Sequence, residues 1–393
     1  MKRLLFFPFN VILVMMIGFF LSIFHFSQYY TPPDLFDFFW LVLSLLPQLV
    51  FGYVFYNKFK VNFPLSKSIN LNKISVSFLI IGLMLFLVVF FRVGIPIFSS
   101  TGRDIYTADD DGKVFGGDSL ASLLNMIGYS CVLLSVTFSS AFNSKKIALL
   151  CLGCVVLLSV LILSRQLTMI SVVIYAIFYF VKNKINKKLF FRTILFIVFV
   201  VLFFSVLGNF RQEAHGDYVT NYAHFIGAST KEGYLIGDSL FWFWLYISSP
   251  VYNLFYNLHT YREATSLCYA LSPSCIYNFL TADILPSTIS KAFGWSLFPE
   301  NLVAQHLNVS TAFTRTVMLF GYFGAFIHSL MQVFFYLLFY ICCQREMRFV
   351  MSVYYSALTF FSVFFNIFIG PSFVFVLVVI IAISWINKFK YNF

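Results

Sequence analysis

Runs of about 18 or more apolar residues recur along almost the whole chain, and runs of that length read as helices that cross a bilayer. Lipid offers no partners to backbone N–H and C=O groups, so each run must be a helix or part of a closed barrel. The runs are too long, and alternate too poorly, for barrel strands. Of the 393 residues, 60% are hydrophobic and only 10% charged, whereas a soluble domain carries roughly a quarter charged residues. So few charges could not cover so much apolar surface in water. The sequence therefore predicts an all-α polytopic integral membrane protein. Internal repeats and low-complexity linkers are not evident, so residues 1–393 read as a single transmembrane domain. Met1-Lys2-Arg3 followed by Leu4 to Phe24 has the opening of a signal peptide. Its apolar run is too long for one and no small-residue cleavage site follows, so it is read as the first helix.

Lysine and arginine set the topology, because short cytoplasmic loops are enriched in them. Basic clusters fall at Lys2/Arg3, Lys58/Lys60/Lys67/Lys73, Lys145/Lys146, Lys182/Lys184/Lys187/Lys188 with Arg192, Arg345/Arg348 and Lys388/Lys390. Placing all of them inside gives one consistent path of about ten transmembrane helices. These run near 4–24, 35–56, 74–92, 119–142, 147–164, 166–181, 189–207, 314–341, 349–369 and 372–387. Both termini are then cytoplasmic, and 208–313 is one large, late extracytoplasmic loop. Residues 147–181 lie between two basic clusters and must cross twice, which puts Arg165 at a tight outer turn. The apolar stretch 235–258 either pairs with 264–286, giving twelve helices, or lies as a re-entrant or interfacial helix.

The net charge of +11 does not call for nucleic acid, since lysines flanking helices account for most of it. Seventeen basic residues fall inside, thirteen of them Lys. The other nine fall outside or at the outer boundary: Arg92, Arg103, Lys113, Arg165, Arg211, Lys231, Arg262, Lys291 and Arg315. There Arg outnumbers Lys six to three, and the positive-inside bias does not explain it. Arginine presents a planar fork of donors that suits phosphate bidentately and never deprotonates. Each outer Arg taken singly could simply pair with a carboxylate or cap a helix. Several converging on one anion would form a binding site.

The stretch Gly208-Asn209-Phe210-Arg211-Gln212-Glu213-Ala214-His215-Gly216 puts an Arg, a carboxylate and an imidazole within five residues. Glu213 or His215 could take a proton from a sugar hydroxyl; an ordinary polar helix end would read the same. His306 is a second candidate base, with Arg315 a short way into the next helix. His25, His224, His259 and His328 show no ligand spacing, so no metal site is expected. The acidic run around Asp109, Asp110 and Asp111 lacks the spacing of a calcium loop. Cys268 and Cys275 share the outer loop and are spaced for a disulfide in an oxidising compartment. No P-loop, GxGxxG, GxSxG or HExxH pattern appears where it could work, which excludes a nucleotide-driven pump. The inner loops are too short for a cytoplasmic nucleotide-sugar transferase domain.

With these motifs in place the chain resembles the O-antigen and capsule repeat-unit polymerases (Wzy-type). The matching features are GIPIFSSTGR at 94–103, SRQ at 164–166, GNFRQ at 208–212, YISSPVYNL at 246–254 and NVSTAFTRTVMLFGYFG at 308–324. An acidic residue often seen before the paired glycines is absent ahead of Gly321 and Gly324. The resemblance implies transfer of a growing polysaccharide from undecaprenyl pyrophosphate to the non-reducing sugar of a fresh lipid-linked repeat unit. Arg165 and Arg211 would then face the pyrophosphate, assisted by Arg92 or Arg103, with Arg315 a further contact. Glu213, His215 or His306 would supply the base. No cofactor is required. The implied setting is the bacterial inner membrane, with lipid-linked oligosaccharides as substrates and a chain-length regulator and a flippase as partners. The O-antigen ligase, another lipid-linked-sugar glycosyltransferase and, outside the enzymes, a lipid-linked oligosaccharide flippase are the alternatives. The single large outer loop and the missing repeat count against transport.

Overall fold

A computed structural model describes residues 2–24, 26–27, 31–58, 71–98, 118–141, 145–183, 237–261, 273–292, 301–303, 309–345 and 347–391. These residues are helical throughout, with connecting turns and no strand among them. Three helical stretches are long and apolar enough to cross a membrane: Lys73–Phe98, Ser119–Ala141 and Thr314–Cys342. Leu35–Ser44 and Leu46–Phe55, bent by 41° at their junction, pass the same test as a pair. Polarity is turned inside out. Large apolar side chains face outward, Phe91 at 90% exposure and Ile341 at 70%, while Gln48, Thr137, Asp283, His328 and Gln332 are buried. In water such a surface would aggregate; against lipid tails it is the stable arrangement. The fold is that of a membrane protein.

The chain divides into two compact units, interleaved along the sequence. The first comprises Met1–Val61, Ile185–Leu338 and Leu358–Gly370; the second comprises Asn62–Lys184, Phe339–Ala357 and Pro371–Phe393.

In the second unit, α4 (Leu71–Val93) packs along α5 (Ser119–Ala141), and α6 (Lys145–Leu161), α7 (Arg165–Lys182) and α14 (Pro371–Tyr391) surround α5. From Ser130 to Ala141, α5 is buried on every side, the mark of a central helix. Two of its hydroxyls return to their own helix, Ser135 Oγ to Val132 O and Thr137 Oγ1 to Leu133 O, which satisfies them within the core. Small residues bring α4 and α5 together. A Cβ on Gly82 would stand 2.7 Å from Val132 Cγ2 and 3.1 Å from Gly128 O, the kind of contact that drives helix association in lipid. Gly94 ends α4 at φ 88° with its N–H on Phe90 O, a left-handed cap open to glycine. Where a double crossing is expected between 147 and 181, the chain forms two helices that pack on each other: α6 ends at Leu161, and α7 begins at Arg165 after the Ser164 N-cap.

The first unit holds α1 (Phe9–Ser22), α2 (Leu35–Ser44), α3 (Leu46–Lys58), α8 (Gly237–Thr260), α9 (Pro273–Phe279), α10 (Ser287–Ala292) and α11 (Thr314–Phe320). The start of α12 (Gly324–Cys342) and the end of α13 (Arg348–Phe360) belong to it as well. α8 packs against α1 and α11, and α9 against α11. Asn10 Nδ2 of α1 donates to Thr359 Oγ1 at 3.3 Å.

Several expected helices are interrupted. The 35–56 helix bends at Leu45 and Leu46, just ahead of Pro47, because the residue before a proline is disfavoured in the α region. The 314–341 helix breaks at a 3-10 turn, Gly321–Phe323, where Gly321 has φ 57°. There Gly324 lies so close to the Thr316 carbonyl that a Cβ would overlap it. The 349–369 helix stops at Phe360 and continues only as two short 3-10 turns, Phe361–Val363 and Ile367–Ile369. The stretch 235–258 forms the single 24-residue helix α8. The described part of 264–286 is no matching span: α9 has seven residues and runs into a π-helical turn, Leu280–Ile284. The helix expected at 189–207 lies outside the described residues.

Candidate functional site

Two pairs of carboxylate and imidazole form in the first unit, and they differ in access. Asp283 and His328 make the closed pair, each fully buried, with His328 Nδ1 3.7 Å from Asp283 Oδ1. Asp283 sits in the π-helical turn after α9, a distortion frequent at functional sites. Its Oδ1 accepts at 3.0 Å from Asn366 Nδ2, which lies in the non-helical stretch after Phe360. On the far side of the ring, Gln332 Nε2 lies 3.1 Å from His328 Nε2 and donates to Ser362 Oγ at 3.1 Å. Gln48 Nε2 donates to Gln332 Oε1 at 2.6 Å. An amide nitrogen can only donate, so this orientation makes His328 Nε2 the acceptor and puts the ring proton on Nδ1, facing Asp283. The Phe313 ring stands edge-on to the imidazole at 4.8 Å. The network fastens α3, α12, the π turn and the 361–366 segment to one another.

Asp37 and His259 make the open pair. His259 Nε2 lies 3.2 Å from Asp37 Oδ1 and 3.4 Å from Oδ2. The Asp37 side chain is 2% exposed and that of His259 43%. A capping box fixes the carboxylate: Asp34 Oδ1 accepts from the Asp37 N–H at 2.8 Å, and Asp37 Oδ2 accepts from the Asp34 N–H at 3.0 Å. These reciprocal bonds satisfy two free donors at the start of α2. His259 stands in the last turn of α8. One turn along α2, Trp40 Nε1 donates to Tyr322 O at 2.9 Å. Trp40, Tyr322, Phe36, Phe39 and Leu43 line a groove of about 340 Å³.

Between these pairs, α8 holds the approach to α11. Asn253 Nδ2 donates to Val309 O at 2.7 Å, and Asn253 Oδ1 accepts from the Val303 N–H at 3.0 Å. Asn257 Nδ2 donates to Asn301 O at 2.7 Å. The Ala312 N–H donates to Ser362 O at 2.8 Å. Arg315 follows as the second residue of α11, half-buried.

The residues singled out in the sequence fall as follows. Arg92, in the last turn of α4, donates through Nε to Asp118 Oδ2 at 2.8 Å, and Asp118 Oδ1 also accepts from the Ala121 N–H at the start of α5. Arg165 is the first residue of α7, and its side chain lies outside the described residues. Arg92 and Arg165 belong to the second unit, Arg315 to the first. Cys275 is buried in α9 and disulfide-bonded; its expected partner, Cys268, lies outside the described residues. So do Arg103, Arg211, Glu213, His215 and His306. Among the described residues, no three His, Cys, Asp or Glu side chains come together to hold a metal.

Both carboxylate–imidazole pairs escaped the reading of the sequence. Asp37 and His259 stand 222 residues apart, and no single sequence pairs them. His328 carried a usable signal, an ionisable residue within a long apolar run, which is costly and functionally suspect by default. No protein-family model, curated protein or solved structure matches this chain.

Proposed function

We propose that this protein polymerises undecaprenyl-pyrophosphate-linked oligosaccharide repeat units into O-antigen or capsular polysaccharide. It does so on the extracytoplasmic face of the bacterial inner membrane, with about ten spans and both termini in the cytoplasm. The observation that carries the reading is the bond from Asn253 to Val309. It joins two of the stretches that carry the family resemblance, YISSPVYNL and NVSTAFTRTVMLFGYFG, within the unit that also holds Arg315.

Undecaprenyl pyrophosphate is already a good leaving group, so the chemistry asked of the protein is modest. Fixed cations facing the pyrophosphate stabilise charge as the glycosidic bond breaks. Arg165, Arg211 and Arg315, with Arg92 or Arg103, are the cations in this reading. A base takes the proton of the acceptor hydroxyl. Neither a nucleotide donor nor a metal enters the reaction.

The test is a gel of surface polysaccharide from a deletion strain carrying wild-type protein, the Arg315→Ala variant or no protein. A polymerase gives a long ladder with wild type and a single repeat unit on the lipid core without it, and Arg315→Ala should match the empty strain. Loss of every band with polymer left on undecaprenyl pyrophosphate would mark a ligase instead. An unchanged ladder would exclude both.

A further inference from the structure

We propose that His259 is the base that deprotonates the acceptor sugar hydroxyl, with Asp37 as the residue that positions it. The inference rests on the polymerase reading and replaces Glu213, His215 and His306 in that role. Of the two described histidines, only His259 is open. Its side chain is 43% exposed, whereas His328 is sealed at 0% and cannot reach a sugar.

The geometry orients the ring for this task. Nε2 faces the buried carboxylate of Asp37 and is hydrogen-bonded to its Oδ2 at 3.4 Å. A carboxylate oxygen accepts, so Nε2 carries the ring proton and the Nδ1 lone pair is left for a substrate. Asp37 cannot drift, because the capping box with Asp34 holds it through two backbone contacts. When Nδ1 takes a proton, the ring becomes an imidazolium facing the Asp37 carboxylate.

The pair also belongs to the frame that carries Arg315. Trp40 fastens α2 to the turn that follows α11, through Tyr322 O. Asn253 fastens α8 to Val309, ahead of α11. Each helix that presents a member of the pair is therefore bonded to one flank of the arginine-bearing helix.

The step balances without a co-reactant. The acceptor O–H proton moves to His259 Nδ1, and the oxygen lone pair forms the new bond to the anomeric carbon of the donor. The bond from that carbon to the phosphate oxygen breaks, and its electrons leave with undecaprenyl pyrophosphate. The imidazolium then returns its proton to water.

The experiment uses full-length protein in proteoliposomes, supplied with lipid-linked repeat units extracted from the deletion strain. Wild-type protein should elongate them. His259→Gln should slow elongation on the order of 100-fold or more, the usual contribution of a positioned base, with the KM for the lipid-linked unit little changed. His259→Gly should recover part of its rate when imidazole is added. Asp37→Asn should lower kcat and move the acidic limb of the pH–rate profile, neither of which a merely structural role would do. His259→Gln at wild-type rate, or a comparable loss in His306→Gln or His215→Gln that imidazole cannot restore at His259→Gly, would overturn the proposal. Should His259→Gln fail to accumulate, the Asp37→Asn profile decides, and an unmoved acidic limb counts against it. Wild-type protein that makes no polymer in this assay would sink the polymerase reading itself, a result distinct from active His259 variants.

Discussion

Asn253 holds Val309 by donating to its carbonyl at 2.7 Å, while its own carbonyl accepts from Val303 at 3.0 Å. One fully buried side chain thus clamps both flanks of residues 304–308, the segment that contains His306. Asn253→Ala should leave both backbone groups without these partners. An unpaired buried group costs about 1–3 kcal/mol, so losing two partners should cost about 2–6 kcal/mol, read as a lowered unfolding midpoint in detergent. Asn253→Asp keeps the acceptor and should lose less. An unchanged midpoint for Asn253→Ala would show that the clamp is not formed.

Gly82 and Gly153 predict opposite outcomes for one substitution. A methyl on Gly82 meets Val132 Cγ2 at 2.7 Å and the Gly128 carbonyl at 3.1 Å, whereas nothing stands within 4 Å of a Cβ on Gly153. Gly82→Ala should destabilise by about 1–3 kcal/mol, the range for overpacking. Gly153→Ala, in the middle of α6, should stabilise by about 0.5–1 kcal/mol. Thermal unfolding of the two purified variants separates them, and equal shifts would contradict the close packing of α4 on α5.

The closed pair of Asp283 and His328 should behave as a coupled unit. Asp283→Ala takes the carboxylate away from the neutral His328 ring and from Asn366 Nδ2; a buried polar group left unpaired costs about 1–3 kcal/mol, so the variant should lose stability in about that range. In the double variant with His328→Ala, the two effects should fail to add by about 0.5–3 kcal/mol, as for residues sharing one network. Strict additivity in an unfolding cycle would mean that the two side chains do not meet.

Asp118 should make α4 and α5 sensitive to acid. The Ala121 N–H, and after it the Arg92 guanidinium, hold its carboxyl below the usual carboxylate range. A depressed value in the folded protein adds stability above the unfolded value of about 3.9, and that stability is lost as pH falls through the folded value. Wild type should therefore be more stable than Asp118→Asn near neutrality, with the gap closing as pH drops below about 4. A gap that stays constant down to strong acid would contradict the assignment.

Sequence reasoning reached the helices whose apolar runs end in basic clusters, because lipid leaves a long apolar run few alternatives. The break between α6 and α7 was legible too, because Ser164-Arg165-Gln166 is the polar interruption in the apolar run between two basic clusters. The bend before Pro47 had a local cause in the proline and could have been placed. The end of α13 at Phe360 had none. Phe361 to Ile369 are apolar enough to continue a helix, yet the chain leaves that path, and Asn366 there donates to Asp283. Side chains meeting across hundreds of residues, such as Asp37 and His259, depend on packing that periodicity does not encode. Arg92 illustrates the converse: its type and place were plain, yet its carboxylate partner emerged only with the fold.

The bond between Asn10 and Thr359 joins positions 349 residues apart. A ribosome adding roughly 5–20 residues per second needs on the order of tens of seconds to deliver the second partner after the first. Throughout that interval α1 exists without its Thr359 partner. Nonsense mutations shortly before codon 359 should therefore leave α1 without this bond, and cells should clear such products as readily as they clear misfolded ones.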